Sequence, residues 1–483
     1  MERHRLLPDE QELGPPDTNP HAALWREIRS CARLGSPLAL GELGWMSTYI
    51  VDALVIGRLP HSALPIAASG LGNTIFSAVA FLAIYMLNGL ETIVAQAAGR
   101  GDRSECVRIS LQSMWIVIVA TPLVMLLTYA ITYMLPVFGV EHELAAQTLR
   151  YNSVLLWSTA PLMVYMALRR FLQSIDRVGL ISFSLVSAGG VNLLFDWLLV
   201  FGHWHLPRLE LAGSGAATIV VRFWMLSILI YATVKACREI GVWPSMAMLR
   251  PNGKRIRALL SIGWPSGVQL STELCISMML TVWCGRLGVL VTAAQQVTMD
   301  LNAFVYMVPA GLSYAAMIRT GQAAGRNDLG SVKRALRATL LIAMSYCGFA
   351  SLLFASFAHP LAALYTNDVH VVGAAVPLFW LCVLLIPADA LFVVHAAAMT
   401  GLGDTRTPLW VSLGCNWVVG MPMAYILAFP LGGSVFGLWV GKVFASVTSG
   451  LLLAYLWRRR MRAESLVGKP ALTVTMLQAH EAA

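Results

Sequence analysis

Residues 96–102 read Gln-Ala-Ala-Gly-Arg-Gly-Asp, and residues 322–328 read Gln-Ala-Ala-Gly-Arg-Asn-Asp. Each run closes one long apolar segment and leads into another. Two further matches lie in the same order. Gly57-Arg58-Leu59 returns as Gly285-Arg286-Leu287, and Asp176 returns as Asp404. Taken along the chain, the three offsets are 228, 226 and 228 residues. Chance similarity between apolar stretches accounts for one such match, but not for a five-residue identity flanked by two co-linear ones. The sequence is therefore a duplication of one unit.

The composition says what kind of unit it is. Of 483 residues, 57% are hydrophobic and 12% charged, and the mean hydropathy is +0.68. A soluble globular protein carries roughly 25% charged residues. So few charges cannot cover a water-exposed surface of this size, whereas apolar side chains facing lipid incur no penalty. A soluble enzyme, a secreted disulfide scaffold and a disordered regulator are excluded. A spanning helix needs ~20 largely apolar residues, and twelve segments qualify: 37–57, 64–98, 107–134, 150–172, 180–202, 213–235, 262–284, 291–324, 338–357, 372–400, 409–430 and 435–457. The second and eighth are long enough to tilt or project from the bilayer. Ten-residue alternation, the mark of a membrane barrel, is missing from the pattern. The predicted fold is an all-α integral membrane protein of twelve transmembrane helices in two duplicated six-helix lobes. Because six is even, both copies share one topology, so the axis relating them runs along the membrane normal.

Counting Lys and Arg by side sets the orientation. Of the 34 basic residues, 28 fall on the side of the two tails, four on the opposite side, and Arg222 and Lys442 lie inside apolar segments. The 28 include Arg169 and Arg170, read as loop residues. Both termini are expected in the cytoplasm of a cell with the protein in its plasma (inner) membrane. The predicted organisation is a cytoplasmic tail over 1–35, an N-lobe over 36–235, a cytoplasmic linker over 236–261, a C-lobe over 262–457 and a second tail over 458–483. The first tail is mixed in charge and holds Pro8, Pro15, Pro16 and Pro20, unlike a secretory signal. The formal net charge of +9 does not point to nucleic acid, because the bases sit in short stretches between apolar segments. Eight scattered cysteines form neither a metal cluster nor a disulfide framework.

No nucleotide-binding loop, metalloprotease motif or nucleophile elbow is present, so no enzymatic activity or cofactor is expected and any work must draw on an ion gradient. Acids inside the apolar segments are the informative residues: Glu42, Asp52, Glu91, Asp196, Glu273, Asp300 and Asp389. Each costs about 2.5–3.5 kcal/mol at mid-helix on insertion scales. Two intramembrane bases cannot neutralise seven acids. At least five must be protonated, hydrated in a cavity or bound to a cation, as a proton- or cation-coupled carrier requires. By the 228-residue offset Asp52 falls on Leu280, Glu273 on Trp45 and Asp389 on Pro161. The scaffold is repeated and the acids are not, so folding of the unit does not demand them. Asn192 and Asp196 stand four apart on one helix and share a face. An amide beside a carboxyl donates to it when ionised and accepts from it when protonated, which suits a site that cycles. Pro161, Pro309 and Pro422 mark kinks, and Trp157, Trp197 and Trp264 are aromatic candidates for a cation-binding wall.

Over residues 36–457 the chain resembles the multidrug and toxic compound extrusion (MATE) family. The residues that carry the resemblance are Asp52 with Ile56-Gly57-Arg58-Leu59, the run Glu91 to Gly99, Asn192 through Asp196, Arg319-Thr320-Gly321-Gln322, and Gly403-Asp404-Thr405-Arg406. The resemblance implies two six-helix lobes around a central cavity that opens alternately to either side, and exchange of protons or sodium for organic cations moving outward. It also implies ion-coupling roles for Asp52, Asn192 and Asp196 in the N-lobe and for Glu273 and Asp389 in the C-lobe. Glu91, Asp300, Gln296 and Trp264 are then candidate cavity or substrate residues. No resident metal is implied, and sodium is a candidate only at the coupling acids. A stretch Ala294-Gln295-Gln296 stands where bacterial members of the family carry a Gly-His-Gln-like run. The expected function is a secondary active antiporter exporting organic cations, drugs or metabolites, working as a monomer with a small-molecule substrate and the lipid bilayer as its partners. The alternative is a lipid-linked saccharide flippase of the same broader superfamily, which should line its cavity with several bases. A major-facilitator carrier would show a Gly-x-x-x-Asp-Arg signature between helices two and three, and Arg100-Gly101-Asp102-Arg103 is too short for it.

Overall fold

A computed structural model describes residues 20–56, 58, 63–204, 207–365 and 368–467. Residues 1–19 and 468–483, and Gly57 and Leu59 of the first repeat match, lie outside the described residues. No strand occurs among the described residues. Ten helical segments are long and apolar enough to cross a membrane. The other two expected segments, 37–57 and 150–172, also fall on helix.

The chain divides into two compact units. The first contains Leu40–Gly267. It takes in the second half of α1 (Pro20–Ile56), then α2 (Ala63–Met86), α3 (Asn88–Arg100), α4 (Arg103–Tyr133), α5 (His142–Leu155), α6 (Thr159–Ser174), α7 (Gly179–Phe201), α8 (Leu211–Ile240), the short α9 (Met246–Leu249) and the opening of α10 (Gly253–Leu287). The segment expected as one long helix over 64–98 bends at Leu87, where α2 gives way to α3 through short-range bonds from Leu87 N to Ile84 O and from Leu90 N to Leu87 O. The predicted linker is tied to this unit. Gln112 donates to the carbonyls of Met248 and Arg250 at 2.8 Å each and accepts from Asn252 N, while Trp115 donates to Leu249 O at 2.9 Å. Gly263 of α10 sits so close to α2 that a Cβ there would lie 1.8 Å from Met86 O. Only glycine permits that approach.

The second unit contains residues 20–39 of α1 and the chain from Val268 onward. Its elements are the rest of α10, α11 (Val289–Gly325), α12 (Leu329–Ser356), α13 (Ala358–Tyr365), α14 (Val369–Gly401), α15 (Arg406–Ser412), α16 (Met421–Ala428) and α17 (Ser434–Val467). Between α15 and α16, Leu413–Gly420 forms a π-helical stretch in which Met421 N bonds back five residues to Asn416 O. One core gathers Phe354, Phe379, Cys382, Leu385 and Trp439, with Phe354 and Phe379 edge-to-face at 5.3 Å. Seven of the eight cysteines are buried and all are free.

The structure gives the repeated Gln-Ala-Ala-Gly-Arg-x-Asp run a physical meaning. In both copies it ends one helix and starts the next. Gly101 (φ 76°) and Asn327 (φ 56°) take the left-handed conformation at the turn, and glycine and asparagine are the residues that tolerate it. Asp102 then caps α4 by accepting from Glu105 N at 2.9 Å, and Asp328 caps α12 by accepting from Ser331 N at 3.0 Å. An N-cap carboxylate satisfies one of the free amides of the first turn.

Candidate functional site

The residues buried at four-residue intervals along α7 include Ser184, Ala188, Asn192 and Asp196, a spacing that keeps them on one face. Asp52, near the end of α1, meets that face. Asn192 Nδ2 donates to Asp52 Oδ1 at 2.5 Å and to Asp196 Oδ2 at 2.8 Å. The two carboxyl groups also share a hydrogen bond with each other. Asn192 is 2% and Asp196 0% exposed, and neither acid takes part in an ion pair among the described residues. Two carboxyls in contact hold a proton between them, because two negative charges at that distance repel. The Tyr151 phenol is fully buried within electrostatic reach of both. Arg222 is close by on α8. It donates to Ser158 Oγ, and its guanidinium lies 4.7 Å from the Phe76 ring centroid.

A second acidic site is built in the other unit. Glu273 of α10 accepts from Gln269 Nε2 at 3.2 Å and from Ser412 Oγ at 3.3 Å, Ser412 being the last residue before the π-helical stretch. Asp389 of α14 is hydrogen-bonded by Ser446, and Glu273 and Asp389 lie within electrostatic reach of each other and of the Tyr306 phenol. Lys442 of α17 acts on Asp389 electrostatically, contacts Met299 Sδ at 3.3 Å and stands 5.0 Å from the Trp439 ring centroid. Both acids are half-buried. The structure thus brings together Asp52, Asn192 and Asp196 in one unit, and Glu273 and Asp389 in the other.

The remaining expected residues stand elsewhere. Gln296 donates to Asp300 at 2.9 Å across one turn of α11, with Gln296 exposed. Trp264 is 42% exposed in the first unit. Trp157 is exposed, and Trp197 stacks on the His203 ring. Glu91 is fully buried in α3 and pairs with Arg170 at 2.7 Å, and Glu42 pairs with Arg169. This corrects the charge accounting made from sequence. Arg169 and Arg170 are buried in α6 rather than in a cytoplasmic loop, and they neutralise two of the seven acids. The excess of bases on one side survives their removal. Sequence reasoning also missed Tyr306, Ser412 and Ser446, whose hydroxyls give no periodic signal. Among the described residues no group of three His, Cys, Asp or Glu side chains is placed to hold a metal ion.

A family model described as MatE matches residues 37–198 and, a second time, residues 265–426. Both ends of the second match lie 228 residues beyond those of the first, the offset read from the repeat. The chain belongs to the MatE family. A probable multidrug resistance protein NorM of Rhizobium meliloti (strain 1021) is 27% identical to it over 441 residues, covering 90% of this chain and 94% of that protein. The eukaryotic MATE transporter AtDTX14 superposes with a TM-score of 0.81 at 20% identity, over 91% of this chain and 98% of that one. The Vibrio cholerae MATE transporter VcmN in its bent form gives 0.83 at 17% identity, over 92% and 99%. The MatE fold, with multiple spanning helices, is therefore that of this chain.

Proposed function

We propose that this MatE protein is a secondary active antiporter that exports organic cations, drugs or related metabolites in exchange for protons or sodium, by alternating access across the cell membrane. Its termini lie in the cytoplasm and one copy of the chain suffices. The observation that carries this reading is the buried Asp52–Asn192–Asp196 cluster. It has two carboxyls bridged by one amide, and neither is charge-paired by a base among the described residues. Such a cluster changes its bound proton or cation at small structural cost, since the Asn192 amide serves whichever form is present. A carboxyl pair in a dry bundle also attracts an organic cation once it is ionised. The likeness to proteins named for probable multidrug resistance supports a drug-like cargo.

The test is efflux from sealed vesicles holding the purified protein and loaded with ethidium, under an imposed pH gradient or sodium gradient applied separately. Export driven by one gradient and collapsed by the matching ionophore is the expected result, and it names the ion. Silence under both gradients, with transfer of a lipid-linked saccharide between leaflets, would replace this reading with the flippase.

A further inference from the structure

A second feature of the first unit has no part in the acidic sites. α2, α4, the segment after α9 and the start of α10 enclose an elongated cavity of about 480 Å³. Its walls include Leu82, Met86, Trp115, Val119, Leu123 and Ile256, with almost no polar surface. Leu82, Val119 and Leu123 are among the large apolar side chains left exposed, so the cavity opens on the outside of the unit. Along α4 the lining runs from Trp115 to Leu127, roughly 18 Å at 1.5 Å per residue. That is about the depth of one leaflet of a ~30 Å hydrocarbon core. One end is marked by Trp115, whose indole N–H is held by Leu249 O, in the amphipathic role tryptophan takes at a membrane interface. Positive charge gathers at the same end. Arg250 immediately precedes the lining residue Pro251, and Arg257 immediately follows Ile256. Both arginines are exposed, and neither is in an ion pair among the described residues.

We propose that this groove is a binding site for an anionic phospholipid. One acyl chain lies along α4 between Trp115 and Leu127, and the headgroup phosphate is held by Arg250 and Arg257. Apolar walls of one-leaflet depth ending in exposed arginines match the two parts of such a lipid, and basic pockets between helices are known hosts for acidic headgroups. A neutral phospholipid supplies the chain but no net charge for the two guanidinium groups.

The experiment uses the full-length protein in detergent and reads retained lipid by native mass spectrometry and the melting temperature on lipid addition. Phosphatidylglycerol is compared with phosphatidylcholine of the same chains. The expected result is retention and a melting shift with phosphatidylglycerol at concentrations where phosphatidylcholine gives neither. In the double variant Arg250→Gln, Arg257→Gln the preference should weaken on the order of tenfold, with the lipid-free melting temperature unchanged. Ala120→Trp, which fills the groove, should weaken retention of both lipids. Equal binding of the two lipids, or an undiminished preference in the double variant, would overturn the proposal.

Discussion

Asp52, Asn192 and Asp196 in the first unit have numerical counterparts in the second at Leu280, Gly420 and Ala424. The first set is a hydrogen-bonded polar cluster, whereas Leu280 and Ala424 belong to an apolar cluster with Cys284, Met421 and Leu438. The reverse holds for Glu273 and Asp389, whose counterparts are Trp45 and Pro161. The buried pair Glu91–Arg170 likewise has Met317 and Ala398 in its place, both buried. A duplicated scaffold thus solves the same packing problem with charges in one copy and with carbon in the other. The polar residues are therefore additions to the fold rather than part of its minimum. The two acidic sites differ as well. That of the first unit is closed and self-paired, and that of the second is half-exposed and supported by neutral Gln269 and Ser412.

The largest effect should come from breaking one charge partner. Arg170→Ala leaves Glu91 buried without its cation and should cost about 3–5 kcal/mol, whereas adding Glu91→Met copies the solution of the second unit and should recover most of the loss. Unfolding midpoints of the two variants in detergent measure this. A double variant as unstable as the single one would show that the two copies are not interchangeable here. Next, Asp196→Asn keeps the volume and an acceptor for Asn192 but cannot carry a proton. Gradient-driven ethidium efflux should fall about a hundredfold, the upper range of a coupling free energy, with the melting temperature kept within a few degrees. Glu273→Gln alters a site already held by neutral groups, and the same assay should show a loss nearer tenfold. A larger loss at Glu273 than at Asp196 would invert the ranking of the two sites. The smallest difference is expected at the caps. Asp102→Ala and Asp328→Ala should each destabilise by about 1 kcal/mol, because both copies use the aspartate in the same way. Unequal costs would break the equivalence of the repeat.

Most of the fold was legible in the sequence because lipid imposes a long apolar period that survives without any knowledge of contacts. The twelve segments fall on helix, and the offset between halves recurs in the family matches. Asn192 and Asp196 could be placed on one face from spacing alone, and the absence of repeated acids singled out Asp52. The contacts across the chain were not legible. Arg169 and Arg170 come at the end of an apolar segment, where bases ordinarily signal a loop, and only the packing of α6 against α1 and α3 shows them inside. The surplus of acids over intramembrane bases was the available hint that two more bases had to be buried. Glycine at 263 carries no chemical signal either, and its necessity appears only with Met86 O beside it.

The π-helical stretch over Leu413–Gly420 shifts the phase of the second copy without changing its length. A turn closed over five residues rather than four slips the azimuth of one flank against the other by roughly one residue, about 100°. The family matches count the same number of positions in both halves, so a sequence comparison sees no insertion. The wiring nevertheless differs. Ser184 of α7 bonds the Tyr165 phenol at 3.3 Å, while its numerical twin Ser412 turns to Glu273. One wide turn has assigned the same rung of a copied ladder to a new neighbour.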